Sequence, residues 1–394
     1  MMTDRARLPL STICACLTEK RIWIYSDTLN ALFSRSIDDA ELTYVTYLEE
    51  SRLPHRSLFT GVVCYQDKLV FIPCYADHVA VYEIGSGAVR HINFPLNCTR
   101  VTPYHGMHHG HHLLLFPAVY RRSAWHFDME NEELRRITLD FGEYDDWLSQ
   151  RINQLLFVVS CMDDEELIFS VYDTNILGYL SWRSGRMRFA DSSVPSPIMS
   201  TLLMGNKRDR LYLDINGQSV FFYRDGRQIR HEKLPVRYMF DVSSTGHKRA
   251  YSQIVTYASN DAVMMPTFGN DVLIWHDGEW SNISVPWQDF LCLGSAVEPF
   301  SVHLETKDMV MFLPYQTDKM LCIWPVERRV DCQDFYVPMQ LVKEVLERQE
   351  KGGARDSLPL FHEGEMTLRD LSNWSYAPFP KHTGIGKYIY ENII

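Results

Sequence analysis

Five histidines crowd into the run Tyr104, His105, Gly106, Met107, His108, His109, Gly110, His111, His112. Imidazole carries protons near neutral pH and binds transition metals through nitrogen. With His109-Gly110 as a two-residue hairpin turn, His108 and His111 stand opposite each other, their Cβ atoms roughly 4.5–5.5 Å apart. Two imidazoles at that distance hold a metal only with a third or fourth ligand, and no sequence neighbour supplies one in register. The run reads as a solvated His-rich turn, and no metal or other cofactor is expected.

The remaining chemistry-bearing residues are more dispersed. Cys14-x-Cys16 lacks the two-residue spacer of zinc knuckles and thiol-redox pairs, and on a strand both thiols face one side, as buried core cysteines do. Gly384-Ile385-Gly386-Lys387 resembles a piece of a phosphate loop, but no strand leads into it. The acidic pairs Asp38-Asp39, Asp145-Asp146 and Asp163-Asp164 sit in turns or insertions, and no G-x-S-x-G elbow is present. A glycosidase needs two carboxylates facing each other across a cleft, which spacing along a chain does not reveal.

The elements that must position these residues repeat. In Lys68–Asn93, Leu69–Ile72 forms an apolar strand ended by Pro73, which cannot donate to a sheet ladder. A polar turn follows, then a run with β-branched members around Val79 and Val81, then Gly85-Ser86-Gly87 and a closing strand Val89–Ile92. Six further units follow the same order. Their first apolar positions are Ile22, Leu69, Leu113, Leu167, Leu211, Val263 and Val310, at separations of 47, 44, 54, 44, 52 and 47 residues. Another apolar run precedes most units, so each unit has four strands, and a repeat of this length is a β-propeller blade. Pro73, Pro117, Pro266 and Pro314 end the same strand within one position. The fold class is all-β: a seven-bladed β-propeller, or six-bladed if the degenerate first unit is discounted.

The propeller spans 1–335. Residues 336–394 form a second region, a helix over Pro338–Glu350 and an extended tail docked on the propeller. Leu341, Val342, Val345 and Leu346 give the helix an apolar face, and Leu360, Phe361, Trp374 and Phe379 make the tail too apolar for disorder. Insertions are expected at Asp140–Asn153, Pro235–Tyr251 and Trp287–Glu305, where propellers place function.

The turn after the proline-ended strand lies on one face in every blade. It carries Tyr75 and Asp77, then Tyr120, Arg121 and Arg122, then Tyr172 and Asp173. Asn216 follows in the fifth unit, Phe268 and Asn270 in the sixth, Tyr315 and Asp318 in the seventh. Five aromatics beside polar groups suit sugars or extended peptides, because flat rings stack and neighbouring amides and charges orient. As a binding ring they are partly exposed around one mouth of the channel. As packing groups they are buried between blades.

The net charge of −11 argues against a phosphate-tracking nucleic-acid binder. No stretch reaches membrane-spanning length, so no membrane insertion is expected. Nine scattered cysteines, mostly within strand-like runs, suit a reducing, cytoplasmic compartment.

The later strands of the units, as in VYEIGSGAVRHI, VFFYRDGRQIRH and VLIWHDGEWSNI, resemble kelch-like and quinoprotein-type propeller repeats over Arg21–Asp334, without the double glycine of kelch. With the closing GIGKYIYENI, the arrangement is similar to uncharacterised propeller proteins of Gram-positive gut bacteria, which are associated with surface-polysaccharide biosynthesis clusters. The expected function is a cytoplasmic binding or scaffold propeller presenting its loop face to a glycan-related ligand or a partner protein. The alternative is a sugar- or peptide-directed lyase or hydrolase with its site at the channel mouth.

Overall fold

Each of the seven sequence units folds into its own antiparallel sheet of four consecutive strands, so no blade borrows a strand from the far end of the chain. The blades of this computed structural model span 12–47, 59–93, 104–138, 157–191, 198–233, 251–284 and 300–334. Seven blades form, blade one included. The described residues are 7–9, 12–19, 21–26, 31–37, 42–48, 58–74, 76–95, 104–151, 156–162, 166–195, 197–203, 209–224, 227–238, 249–257, 261–276, 278–287, 290, 299–315, 317–338 and Leu341. The expected C-terminal helix and tail lie outside them, apart from Tyr336–Pro338 and Leu341.

Pro73, Pro117, Pro266 and Pro314 each end the second strand of a blade. They pair with Phe59, Tyr104, Tyr251 and Phe300, the first residues of the inner strands. Ser26, Val171 and Asp214 hold the same place in blades one, four and five. Counting back four residues from this point corrects the register of two units: blade five aligns on Arg210 and blade six on Ala262, one residue before Leu211 and Val263.

A second repeated contact ties the turn to the loop before it in five blades. The amide following the second strand donates to the carbonyl preceding the inner strand. The pairs are Cys74 to Leu58 at 2.7 Å, Tyr172 to Leu156 at 2.7 Å, Ile215 to Pro197 at 2.9 Å, Thr267 to Ala250 at 2.8 Å and Tyr315 to Pro299 at 2.8 Å. Burying a turn this way satisfies backbone groups that strand pairing leaves over.

Seven apolar clusters fill the seven gaps between neighbouring blades, one cluster to a gap. A sheet with both faces buried needs apolar side chains on both faces, and the second and third strands show it: LVFIP (69–73) and VAVY (79–82) are buried throughout. The inner strand of blade one packs between those of blades two and seven, which closes the ring. A separate two-stranded clasp, Arg7–Pro9 against Tyr336–Pro338, links the segments on either side of the propeller. Leu341 packs on the cluster between blades seven and one.

Candidate functional site

Antiparallel pairing puts four features at one end of every blade: the start of the inner strand, the end of the second, the start of the third and the end of the outer. The second-to-third turns and the connections between blades therefore share one loop face. The turn residues do not form a ring of accessible aromatics. Tyr120, Phe268 and Tyr315 are buried, as is Asp318; Tyr172 is half-buried; Tyr75 lies outside the described residues. The turns of Phe268 and Tyr315 fold back onto the residue before the inner strand, at Ala250 and Pro299. Tyr120 sits in the cluster between blades three and four, 5.2 Å from the Phe141 ring, and donates its hydroxyl hydrogen to Asp145 Oδ1 at 2.7 Å. Asp77, Arg122 and Asp173 remain exposed, with Arg121 and Asn270 half-buried.

What the loop face does present comes from the first insertion. A short 3-10 turn, Gly142–Tyr144, runs into the helix Asp145–Ser149, whose Leu148 is buried in the cluster between blades three and four. Arg122 forms an ion pair with Asp145 at its start. Anchored in this way, the helix holds Trp147 36% exposed. The Arg151 guanidinium lies 5.2 Å over its ring, and Tyr144 packs edge-on at 6.3 Å. Trp, Tyr and Arg held rigidly together are the residue types that dominate binding energy at interfaces. Trp147 was missed in the sequence because a five-residue helix shows no periodicity.

A buried carboxylate organises the loop face over blade six. Asp271 accepts from Arg237 Nε at 2.8 Å and Nη2 at 2.6 Å, from Ser284 Oγ at 2.9 Å and from Asn282 Nδ2 at 3.2 Å. Burial alone would raise its pKa, but these donors hold it below the usual carboxylate value.

The histidine-rich hairpin forms one residue later than its spacing suggests. His109 pairs with His112 and His108 with Leu113, so the turn is Gly110-His111, with Gly110 supplying the positive φ of +58°. His108 and His111 are therefore not opposed. His112 Nδ1 lies 2.9 Å from His126 Nε2, and His126 stacks on Trp182 of blade four at 5.6 Å. Burial, then the neighbouring His112 and Arg135, pushes His126 down to about 4. Among the described residues no group of three His, Cys, Asp or Glu is placed to hold a metal.

The inner strand of blade seven places His303 where the other blades have apolar, small or hydroxyl side chains, with Glu305 two residues on. In blades one to six the His303 position is Ala15, Val62, Gly106, Val159, Thr201 and Ile254. His303 Nδ1 is 3.2 Å from Gln253 Oε1 and its Nε2 is 3.6 Å from Glu305 Oε1. Burial pushes His303 down to about 4 and raises Glu305. Both side chains keep more than a third of their surface exposed, so a bound group can reach them. Aligning the seven inner strands by their ladder partners exposes this break; the apolar pattern alone does not.

Fold and site together define a seven-bladed β-propeller with an elaborated loop face. No protein-family model matches the chain, and no curated protein matches it. Solved structures match across most of its length. Virginiamycin B lyase from Staphylococcus aureus is 13% identical with a TM-score of 0.55, covering 80% of this chain and 94% of that one. A streptogramin B lyase is 10% identical, TM-score 0.58, covering 83% and 95%. YCF48 bound to D1 peptide is 9% identical, TM-score 0.56, covering 79% and 93%. At these identities the likeness is one of fold.

Proposed function

We propose that this chain is a cytoplasmic binding propeller whose loop face engages a partner protein or a glycan-related ligand. The observation that carries this reading is the insertion holding Trp147 exposed beside Tyr144 and Arg151 on a helix anchored through Leu148. Arg121, Arg122, Tyr172, Asp173, Asn270 and Asp77 lie on the same face and would supply hydrogen bonds and charge around that anchor. Residues 336–394 form the second region of the chain in this reading. The net charge of −11 favours protein or carbohydrate over nucleic acid. The buried thiols of Cys16 and Cys322, the latter pushed up to about 12 by burial, suit a reducing compartment. YCF48, bound to a peptide, is a propeller of similar fold used for binding.

The test is a binding screen of the full chain against an array of defined oligosaccharides and peptides, repeated with Trp147→Ala and Arg151→Ala. Saturable binding lost in both variants at an unchanged melting temperature supports the reading. Binding that survives both overturns the loop-face anchor.

His303 and Glu305 favour a second reading, a lyase or hydrolase acting at the channel. Two of the similar structures are lyases on the same fold. Turnover of an array member, abolished by His303→Gln, would establish it in place of the first.

A further inference from the structure

The outer strand of blade five departs from the other six. Those six have no more than two exposed residues in succession, as fits strands with one face against a neighbouring blade. Arg227–Lys233 has five, from Arg227 to His231. As the last strand of its sheet, it has a ladder partner on one side only among the described residues. A bulge lies at its centre. Opposite one fixed place on the third strand, blades two, three, four, six and seven carry Val89, Leu134, Met187, Trp280 and Val330. Each of these packs into a gap between blades. In blade five the place falls to Gln228, opposite Tyr223, and Arg230 already stands opposite Phe222. Ile229 between them is the extra residue and is 56% exposed. Bulges at sheet edges re-aim a side chain in this way.

Proteins blunt exposed edges with charges and bulges, so that a second copy cannot pair there. Arg227, Arg230 and Lys233 do repel a second copy of this strand. Blunting alone gives no reason for an exposed isoleucine, one of three large hydrophobics exposed among the described residues. An edge that turns away its own copy, yet sets an apolar side chain among cations, suits a strand of opposite charge. The cations stand out on a chain of net charge −11. Arg230 is held along the edge: it pairs with Glu232, donates from Nη1 to the Gly278 carbonyl of blade six at 2.8 Å, and lies 5.0 Å over the Trp275 ring. A guanidinium has five donors, so others are left for a carboxylate.

We propose that the outer edge of blade five docks an acidic, extended segment of a partner protein as a fifth strand, an apolar side chain against Ile229 and carboxylates towards Arg227 and Arg230. The rival reading makes the edge a barrier to pairing and nothing more. The surface lies on a different blade from the insertion that carries Trp147.

Fluorescence anisotropy with labelled nine-residue peptides separates the two readings, using the full chain with Trp147→Ala so that the loop face does not contribute. The panel alternates Glu with Val, Ile or Leu. One control set replaces Glu by Lys; another keeps the charges but places proline at the centre, because proline cannot donate to a ladder. The proposal expects acidic strand peptides to bind at one saturable site and both control sets to fail. Ile229→Lys and Arg227→Glu change exposed side chains, so the melting temperature should stay unchanged while each weakens binding about tenfold or more. No saturable binding by any acidic peptide, equal binding of either control set, or binding indifferent to either variant would overturn it.

Discussion

His105 on the inner strand of blade three donates from Nε2 to the carbonyl of Phe157, the first residue of the inner strand of blade four, at 2.8 Å. Thr60 makes the equivalent bond to Tyr104 O at 2.6 Å, and Ser301 makes it to Thr12 O across the closing seam. This first histidine of the His-rich run thus occupies a place that two other blades fill with a hydroxyl. A carbonyl can only accept, so Nε2 must carry hydrogen. His105→Ala would leave the Phe157 carbonyl without this donor, and such losses cost about 1–3 kcal/mol. Chemical denaturation of His105→Ala should show a loss of that order, with metal content unchanged.

The depressed histidines make a pH prediction. Burial lowers His105, and His126 and His303 fall to about 4, against an ordinary 6.5. The unfolded chain therefore takes up protons that the folded one refuses. This stability is fully present above pH 6.5 and is lost as pH falls towards about 4. Glu305, whose pKa is raised, contributes in the opposite direction. Melting curves of wild type and His303→Gln, compared from pH 7 to 4, should converge as the pH drops. A constant difference across that range would mean that His303 is not held neutral.

Gly106 and Gly178 are fixed by packing. A Cβ on Gly106 would overlap Ile72 Cδ1 of the neighbouring blade, and one on Gly178 would overlap the Phe169 ring. Gly106→Ala should destabilise by about 1–3 kcal/mol, the usual cost of overpacking, and adding Ile72→Ala should recover part of it. Additive losses in urea melts would show that the two residues do not touch.

Blade count was legible, and strand register to within one residue, because both rest on local signals: apolar runs, prolines that stop a ladder, and glycine turns. The depth of the turn aromatics was not. Phe268 and Tyr315 are buried where their turns fold back onto the residue before the inner strand of the same blade, and Tyr120 by its contacts with Phe141 and Asp145 of the following insertion, none of which an apolar run announces. The turn at Gly110 was displaced by one residue because either His109-Gly110 or Gly110-His111 satisfies the spacing, and only ladder pairing decides. Ile229 and His303 stand out once outer and inner strands are aligned by ladder partner.

The buried Asp271 network sets a further expectation. Removing one member of a buried ion pair costs about 3–5 kcal/mol. Arg237 is more than half exposed, so the lower end applies. Asp271→Asn should lose about 3 kcal/mol by denaturant titration, and an unchanged midpoint would make the network incidental.

The proposal of a binding loop face is tested most directly in the native host with a photo-crosslinking amino acid at single positions. Trp147 and Tyr172 report the loop face. Val326, 68% exposed in a turn at the opposite end of blade seven, is the control. The account predicts one discrete adduct from positions 147 and 172, competed away by excess unlabelled wild type, and none from 326. An adduct at 326 with none at 147 would place the binding surface on the other face and contradict it.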